Sequence, residues 1–220
     1  MPLLNLLATL LSTILVIITH AAPTPNTASP LTADSILTLA PSTATCPSGT
    51  STASECRTAA QAAPYIALSF RNFGISTFQV QAALLAHILL ESGNLQYSRN
   101  HFPAPGRPGQ GTRNMQMPEY NLAYAKWLAA SCANCGVSAA DVERAEREGP
   151  DAVLRLVNGD LWGFASAAWF VSTQCGADVL EGLGRGDEAG WEAFLTGCVG
   201  TSVTEERTDL WRRAVAMGSW

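Results

Sequence analysis

Residues 81–96 read QAALLAHILLESGNLQ, an almost unbroken apolar run that closes on a single acid, Glu91. A run that is apolar all round from Val80 to Leu90 is the pattern of a helix covered by neighbours on every side rather than one lying on a surface. Ser76 or Thr77 supplies its start and Gly93-Asn94 its stop. The acid at its end is therefore placed where apolar desolvation and the negative end of the helix dipole both favour a retained proton. No Lys or Arg stands beside it in AHILLESGN to oppose that. A carboxyl that keeps its proton near neutral pH is what a general acid needs to protonate a poor leaving oxygen, such as that of a glycosidic bond. His87, one turn earlier, reads as a neutral, hydrogen-bonded core histidine.

The pattern outward from this helix stays helical. The stretch SAADVERAEREG, residues 138–149, opens on a capping box of Ser138 and Asp141, and Pro150 suits the first turn of the next helix. GDLWGFASAAWFVSTQC, residues 159–175, reads as a second buried helix. DEAGWEAFLTGC and SVTEERTDLWRRAVAMG complete the set, the latter with Ser202 and Glu205 as a capping box. Between the first buried helix and EYNLAYAKWLAASC lies a loop rich in Pro and Gly, residues 96–118, with room for a short hairpin. Gly109 and Gly111 permit its backbone turns. The expected fold is mainly α, stapled by disulfides.

Composition sets the surroundings. The 220 residues are 47% hydrophobic and 14% charged, enough for one buried domain. Residues 1–21 read as a signal peptide with an apolar core and a small-residue cleavage region, so a secreted, extracellular protein is expected, with no membrane anchor once the leader is removed. Residues 22–53 are rich in Ser, Thr and Pro and read as a linker or pro-segment, leaving 54–220 as the domain. Six cysteines in such a chain imply three disulfides. Local pairing, Cys46 with Cys56, Cys132 with Cys135 and Cys175 with Cys198, closes the shortest loops. No Cys or His spacing assembles a metal site, and no cofactor is expected. A net charge of −5 with only 13 scattered basic residues argues against nucleic acid as a partner.

ESG closing an apolar helix, with Gln116 in GTRNMQMP 25 residues later, resembles the lysozyme superfamily, in which lytic transglycosylases and goose-type lysozymes carry a Glu-Ser followed by a Gly-x-x-Gln motif before a proline. GQGTRNMQMPEYN also resembles the Gly-rich segment of plant-type chitinases. The likeness covers roughly residues 60–130, and GTRNMQ departs from it by extra residues between Gly and Gln. It implies a lysozyme-like helical domain with a small irregular or β-hairpin loop region. It implies a monomeric glycosidase that acts on β-1,4-linked amino-sugar polymers, with peptidoglycan as first choice and chitin or chitosan as second. Glu91 would be the general acid, Gln116 would bind a sugar, and Met115, Tyr120, Asn121 and Tyr124 would be cleft neighbours. Trp162 has a claim to the cleft rim, whereas Trp169 and Trp191 sit in apolar helical patterns and belong to the core. No acid lies between Glu91 and Glu119, so Glu91 either works alone or is joined by Glu119 or Asp160 as a second carboxylate. A non-catalytic glycan-binding or effector protein on the same frame is the alternative, and an arginine such as Arg99 or Arg113 tied to Glu91 would favour it.

Overall fold

The computed structural model describes residues 30–132 and 135–220. The expected signal peptide and the first part of the expected linker, residues 22–29, lie outside the described residues. The chain is mainly helical: α1 (Ala33–Leu39), α2 (Ala59–Asn72), α3 (Phe78–Glu91), α4 (Pro118–Ser131), α5 (Ala139–Glu148), α6 (Pro150–Val157), α7 (Asp160–Thr173), α8 (Ala177–Arg185), α9 (Glu188–Ala193) and α10 (Glu205–Ala216). A 3-10 turn, Pro41–Ala44, follows α1, and a π-type turn, Phe194–Val199, follows α9. The disulfides join Cys46 to Cys56, Cys132 to Cys135 and Cys175 to Cys198. No helix among the described residues is long and apolar enough to cross a membrane.

Two apolar clusters organise the molecule. The larger gathers α1, α2, α3, one face of α7 and the segment α8–α10 around Ile36, Ile66, Leu84, Leu85, Ile88 and Trp191. The smaller packs α4, α5 and α6 against Trp169 and Phe170 of α7. Helix α7 is apolar on both faces because Phe164, Ala168 and Val171 serve one cluster while Trp169 and Phe170 serve the other. Helix α3 is covered on all sides, with every residue from Val80 to Leu89 buried. Trp169 and Trp191 are core residues, the first stacked on Tyr124 and the second on Trp211.

Two sequence expectations are corrected. Of the two readings of residues 22–53, linker or pro-segment, the extended linker does not hold for 31–44: Thr32 caps α1, and Leu31, Ile36 and Leu39 are buried in the larger cluster. Ile36 and Leu39, one turn apart on α1, with Leu31 ahead of the cap, were enough to anchor a segment whose overall composition reads as polar and extended. The last helix starts later than its sequence pattern suggests, for Thr204 rather than Ser202 is the N-cap, accepting from the Arg207 amide. The cap at Ser138 forms as expected, with Asp141 returning the bond. The loop takes the irregular one of its two expected forms, with the isolated bridges Arg99 with Gly111 and Gly111 with Gln116.

The loop is instead fixed from below by Arg113. This guanidinium is 2% exposed and donates to the carbonyls of Leu95, Tyr97 and Glu55 while lying 4.7 Å from the centre of the Phe164 ring. Burial, with Arg57 nearby, lowers its pKa to about 10, and Asp160 and Glu55 act in the opposite sense. It therefore remains charged at neutral pH and ties the turn after α3 to the start of α7. That turn is wound left-handed over Gly93, Asn94 and Leu95 (φ 57°, 56° and 67°). Buried Ser92 closes it, donating to the Ile88 carbonyl and accepting from the Leu95 amide.

Candidate functional site

Glu91 is the last residue of α3, and the left-handed turn behind it stops the helix and leaves its side chain at the edge of a cavity of about 400 Å³. That volume falls in the range of small-ligand sites. The walls come from both clusters and the loop between them: His87 and Glu91 from α3, Gln110 and Asn114–Met117 from the loop, Tyr120 from α4, Phe170 from α7, Val199–Thr201, and Arg207 from α10. Glu91 is the one carboxylate among these lining residues.

The acid is not alone. Arg207 Nη1 donates to Glu91 Oε1 at 2.5 Å, and the two side chains are 17% and 18% exposed. No cation is visible beside Glu91 in the sequence of α3, because the cation arrives from 116 positions further on. Neither Arg99 nor Arg113 contacts Glu91: the first pairs with Asp151 and the second serves the loop carbonyls. His87 is 3% exposed, with its ring edge-on to Phe194 and the two ring centres 5.4 Å apart. Burial lowers its pKa, with Arg207 acting in the same sense and Glu91 against it, so the imidazole is neutral at physiological pH. Its Nδ1 has no hydrogen-bond partner, contrary to the hydrogen-bonded core histidine expected from the sequence.

The loop wall is a lattice of amides. Gln116 is 5% exposed; its Oε1 accepts from Asn114 at 3.2 Å and its Nε2 donates to Asn121 Oδ1 at 2.8 Å. Asn114 Oδ1 in turn accepts from Thr112 and Ser166, and Gln110 donates to the Met115 carbonyl. Met115 and Thr112 hold left-handed backbone angles (φ 49° and 61°), the kind of local strain that surrounding bonds must over-determine. Gly111 is required here, since a Cβ would meet the Ser98 carbonyl oxygen at 2.7 Å. Gln116 thus lines the cavity from within a rigid network rather than as a free side chain.

Other sequence candidates fall elsewhere. Met115 and Tyr120 line the cavity, Tyr120 with its ring edge-on to Phe170. Asn121 is wholly buried behind Gln116 and bonds the Gly109 carbonyl, so it supports the wall without forming it. Tyr124 is also fully buried, donating to the Trp162 carbonyl, and burial raises its pKa. Trp162 is not a cleft rim: it packs on the smaller cluster and donates to the Cys135 carbonyl. Neither expected second carboxylate reaches the cavity. Glu119 is exposed on the first turn of α4, and Asp160 is held by Arg57 at 2.8 Å with Arg113 at 3.9 Å. Among the described residues, no group of three His, Cys, Asp or Glu side chains is placed to hold a metal ion. Sequence reasoning missed Arg207, Phe170 and the Val199–Thr201 wall, which enter from distant helices and carry no local motif.

A stretch of 154 residues, 70% of this chain, is 40% identical to part of a protein of Fusarium oxysporum (strain Fo5176) named a bifunctional dioxygenase (DOX)-epoxy alcohol synthase (EAS). The match spans 12% of that protein's length. No protein-family model and no solved structure matches the chain.

Proposed function

We propose that the protein is a secreted, monomeric, lysozyme-like glycosidase that cleaves β-1,4 linkages of amino-sugar polymers, peptidoglycan first and chitin or chitosan second, with Glu91 as general acid. The observation that carries this reading is the position of Glu91: an acid at the end of a buried helix, in a cavity of ligand size whose walls include Gln116. The lack of a second carboxylate among the lining residues favours the route in which Glu91 acts alone, as acid and then as base, assisted by the substrate's own N-acetyl group. In the free protein Glu91 is the carboxylate of an ion pair, so substrate entry must separate it from Arg207 and the carboxylate must take up a proton from solvent before it can serve as the acid. The disulfides suit an oxidising, extracytosolic compartment.

One observation favours a second reading. The Glu91–Arg207 pair is a closed contact, as a non-catalytic glycan-binding module on this frame would have. The homologous stretch forms only a small part of the longer Fusarium protein, and the activity in that protein's name is not carried to this chain. The two readings separate when wild type and Glu91→Gln are incubated with peptidoglycan, chitin oligomers and chitosan and the products are weighed by mass spectrometry. The glycosidase reading expects wild-type cleavage that drops about 10²- to 10⁴-fold in the variant. Binding without cleavage by either protein would leave the binding module, and equal turnover would remove Glu91 from the chemistry.

A further inference from the structure

The cavity keeps its two charges on a single contact. Glu91 and Arg207 are the charged side chains among its lining residues, and the other titratable groups there are His87, neutral through burial, and the Tyr120 phenol. The contact uses one atom of each, Arg207 Nη1 donating to Glu91 Oε1. Among the described residues the Arg207 side chain makes no other hydrogen bond, so the rest of its fork of N–H donors is uncommitted. Glu91 Oε2 is likewise unbonded. The buried side-chain atoms that lack a partner include none from Glu91 or Arg207, so these spare atoms reach solvent. The amides of Gln110, Asn114 and Gln116 give the facing wall polarity without charge.

A neutral sugar that parts the pair leaves the guanidinium without a counter-charge in a space from which the sugar has displaced water, and a charge so stranded is costly. A ligand that brings its own carboxylate replaces the lost partner, and a guanidinium fork can hold it by two parallel bonds where Glu91 has one. We propose that Arg207 is the binding residue for a substrate carboxylate, and that an acidic amino-sugar chain frees Glu91 by taking its place on the guanidinium; the proposal rests on the glycosidase reading above. The charges balance. The ligand's anion pairs with Arg207, and Glu91, left without its cation beneath the sugar, takes up one proton from solvent and holds it for the glycosidic oxygen. Peptidoglycan carries such carboxylates, on the lactyl ether of its muramic acid and on its stem peptides. Chitin carries none, and chitosan would set an ammonium against the guanidinium. The ion pair thereby selects the substrate class.

The test titrates three thio-linked tetrasaccharides, whose sulfur bridges resist cleavage, into the full chain by calorimetry near neutral pH. They are the peptide-free chain of alternating N-acetylglucosamine and N-acetylmuramic acid, its methyl ester, and the chitin tetramer. The free acid binds at least about tenfold tighter than the other two, the effect of a charge pair regained rather than lost. Repeating the titrations in buffers of different ionisation enthalpy shows that the acid alone takes up roughly one proton on binding. Arg207→Gln levels the three affinities, whereas Glu91→Gln keeps the preference for the acid and loses the proton uptake. The comparison of acid with ester needs no variant, so it decides the matter if Arg207→Gln does not fold. Equal affinity for acid and ester, or a preference for the acid that survives in Arg207→Gln, would overturn the exchange, as would binding of none of the three. The oxygen-linked acid is then incubated with wild type and its products are weighed. Absence of cleavage beside an intact preference for the acid would overturn the glycosidase reading and leave Arg207 as a carboxylate site.

Discussion

At the scale of single residues, the Glu91–Arg207 pair joins the end of α3 to α10 at the cavity, and its worth is measurable. Both side chains are largely covered, so removing one partner strands the other. Arg207→Gln is expected to lower unfolding stability by about 1–3 kcal/mol. Adding Glu91→Gln to it should return part of that loss, a coupling that a double-mutant cycle by chemical denaturation reads directly. His87 gives a pH signature with a definite sign. Its folded-state pKa lies below the ordinary 6.5, so below that pH the unfolded chain takes up a proton that the folded protein refuses. The groups that act on it are Arg207, which reinforces the exclusion, and Glu91, which opposes it. Stability is therefore lost as pH falls below 6.5 toward the lowered folded-state value. Denaturation of wild type and His87→Leu between about pH 7 and pH 5 should show a shallower decline in the variant; parallel declines would mean that His87 takes its proton in the folded state.

At the scale of elements, α1 and the wall carried by the third disulfide are the sensitive pieces. Ile36 is wholly buried, and Ile36→Ala is expected to cost about 2–4 kcal/mol in thermal or urea unfolding, whereas a residue in a linker would cost nothing. The Cys175–Cys198 bond closes a loop across 23 positions and ends one residue before Val199, where the cavity wall begins. Its replacement by a pair of alanines should remove about 3 kcal/mol and weaken ligand binding at that wall; unchanged binding would show that Val199–Thr201 is held by other contacts. What the sequence made legible at this scale was whatever has a local cause. Helix α3 announces itself by its apolar run, the Ser138 cap by its Asp141 partner, and the disulfide pairing by short loops. Helix α1 was hidden because three buried side chains stand within a Ser, Thr and Pro background that reads as extended chain. Arg207 was hidden because its amphipathic helix carries other arginines of the same appearance, and only the packing of α10 against α3 distinguishes it. Tyr124 and Trp162 were misplaced because an aromatic ring beside a candidate loop reads the same whether it faces a cavity or the core behind it.

At the scale of the molecule, two apolar clusters share α7, and the cavity opens where they meet the end of α3. Arg113 holds the carbonyls of Leu95 and Tyr97 behind Glu91 and that of Glu55 ahead of α2, while its guanidinium lies against the Phe164 ring of α7, so a change there should reach the site without touching it. Arg113→Leu leaves those carbonyls without their donor and is expected to destabilise the fold by about 3–5 kcal/mol, read by urea unfolding. The central claim is that Glu91 meets a glycosidic oxygen inside this cavity. It is tested most directly by the crystal structure of the Glu91→Gln protein with a chitin or peptidoglycan oligomer bound. The expected result is a bridging oxygen within about 3 Å of the amide that replaces the carboxyl, with Arg207 moved off that side chain. An oligomer seated on another face, with the substituted side chain still bonded to Arg207 and the cavity empty of sugar, would contradict it.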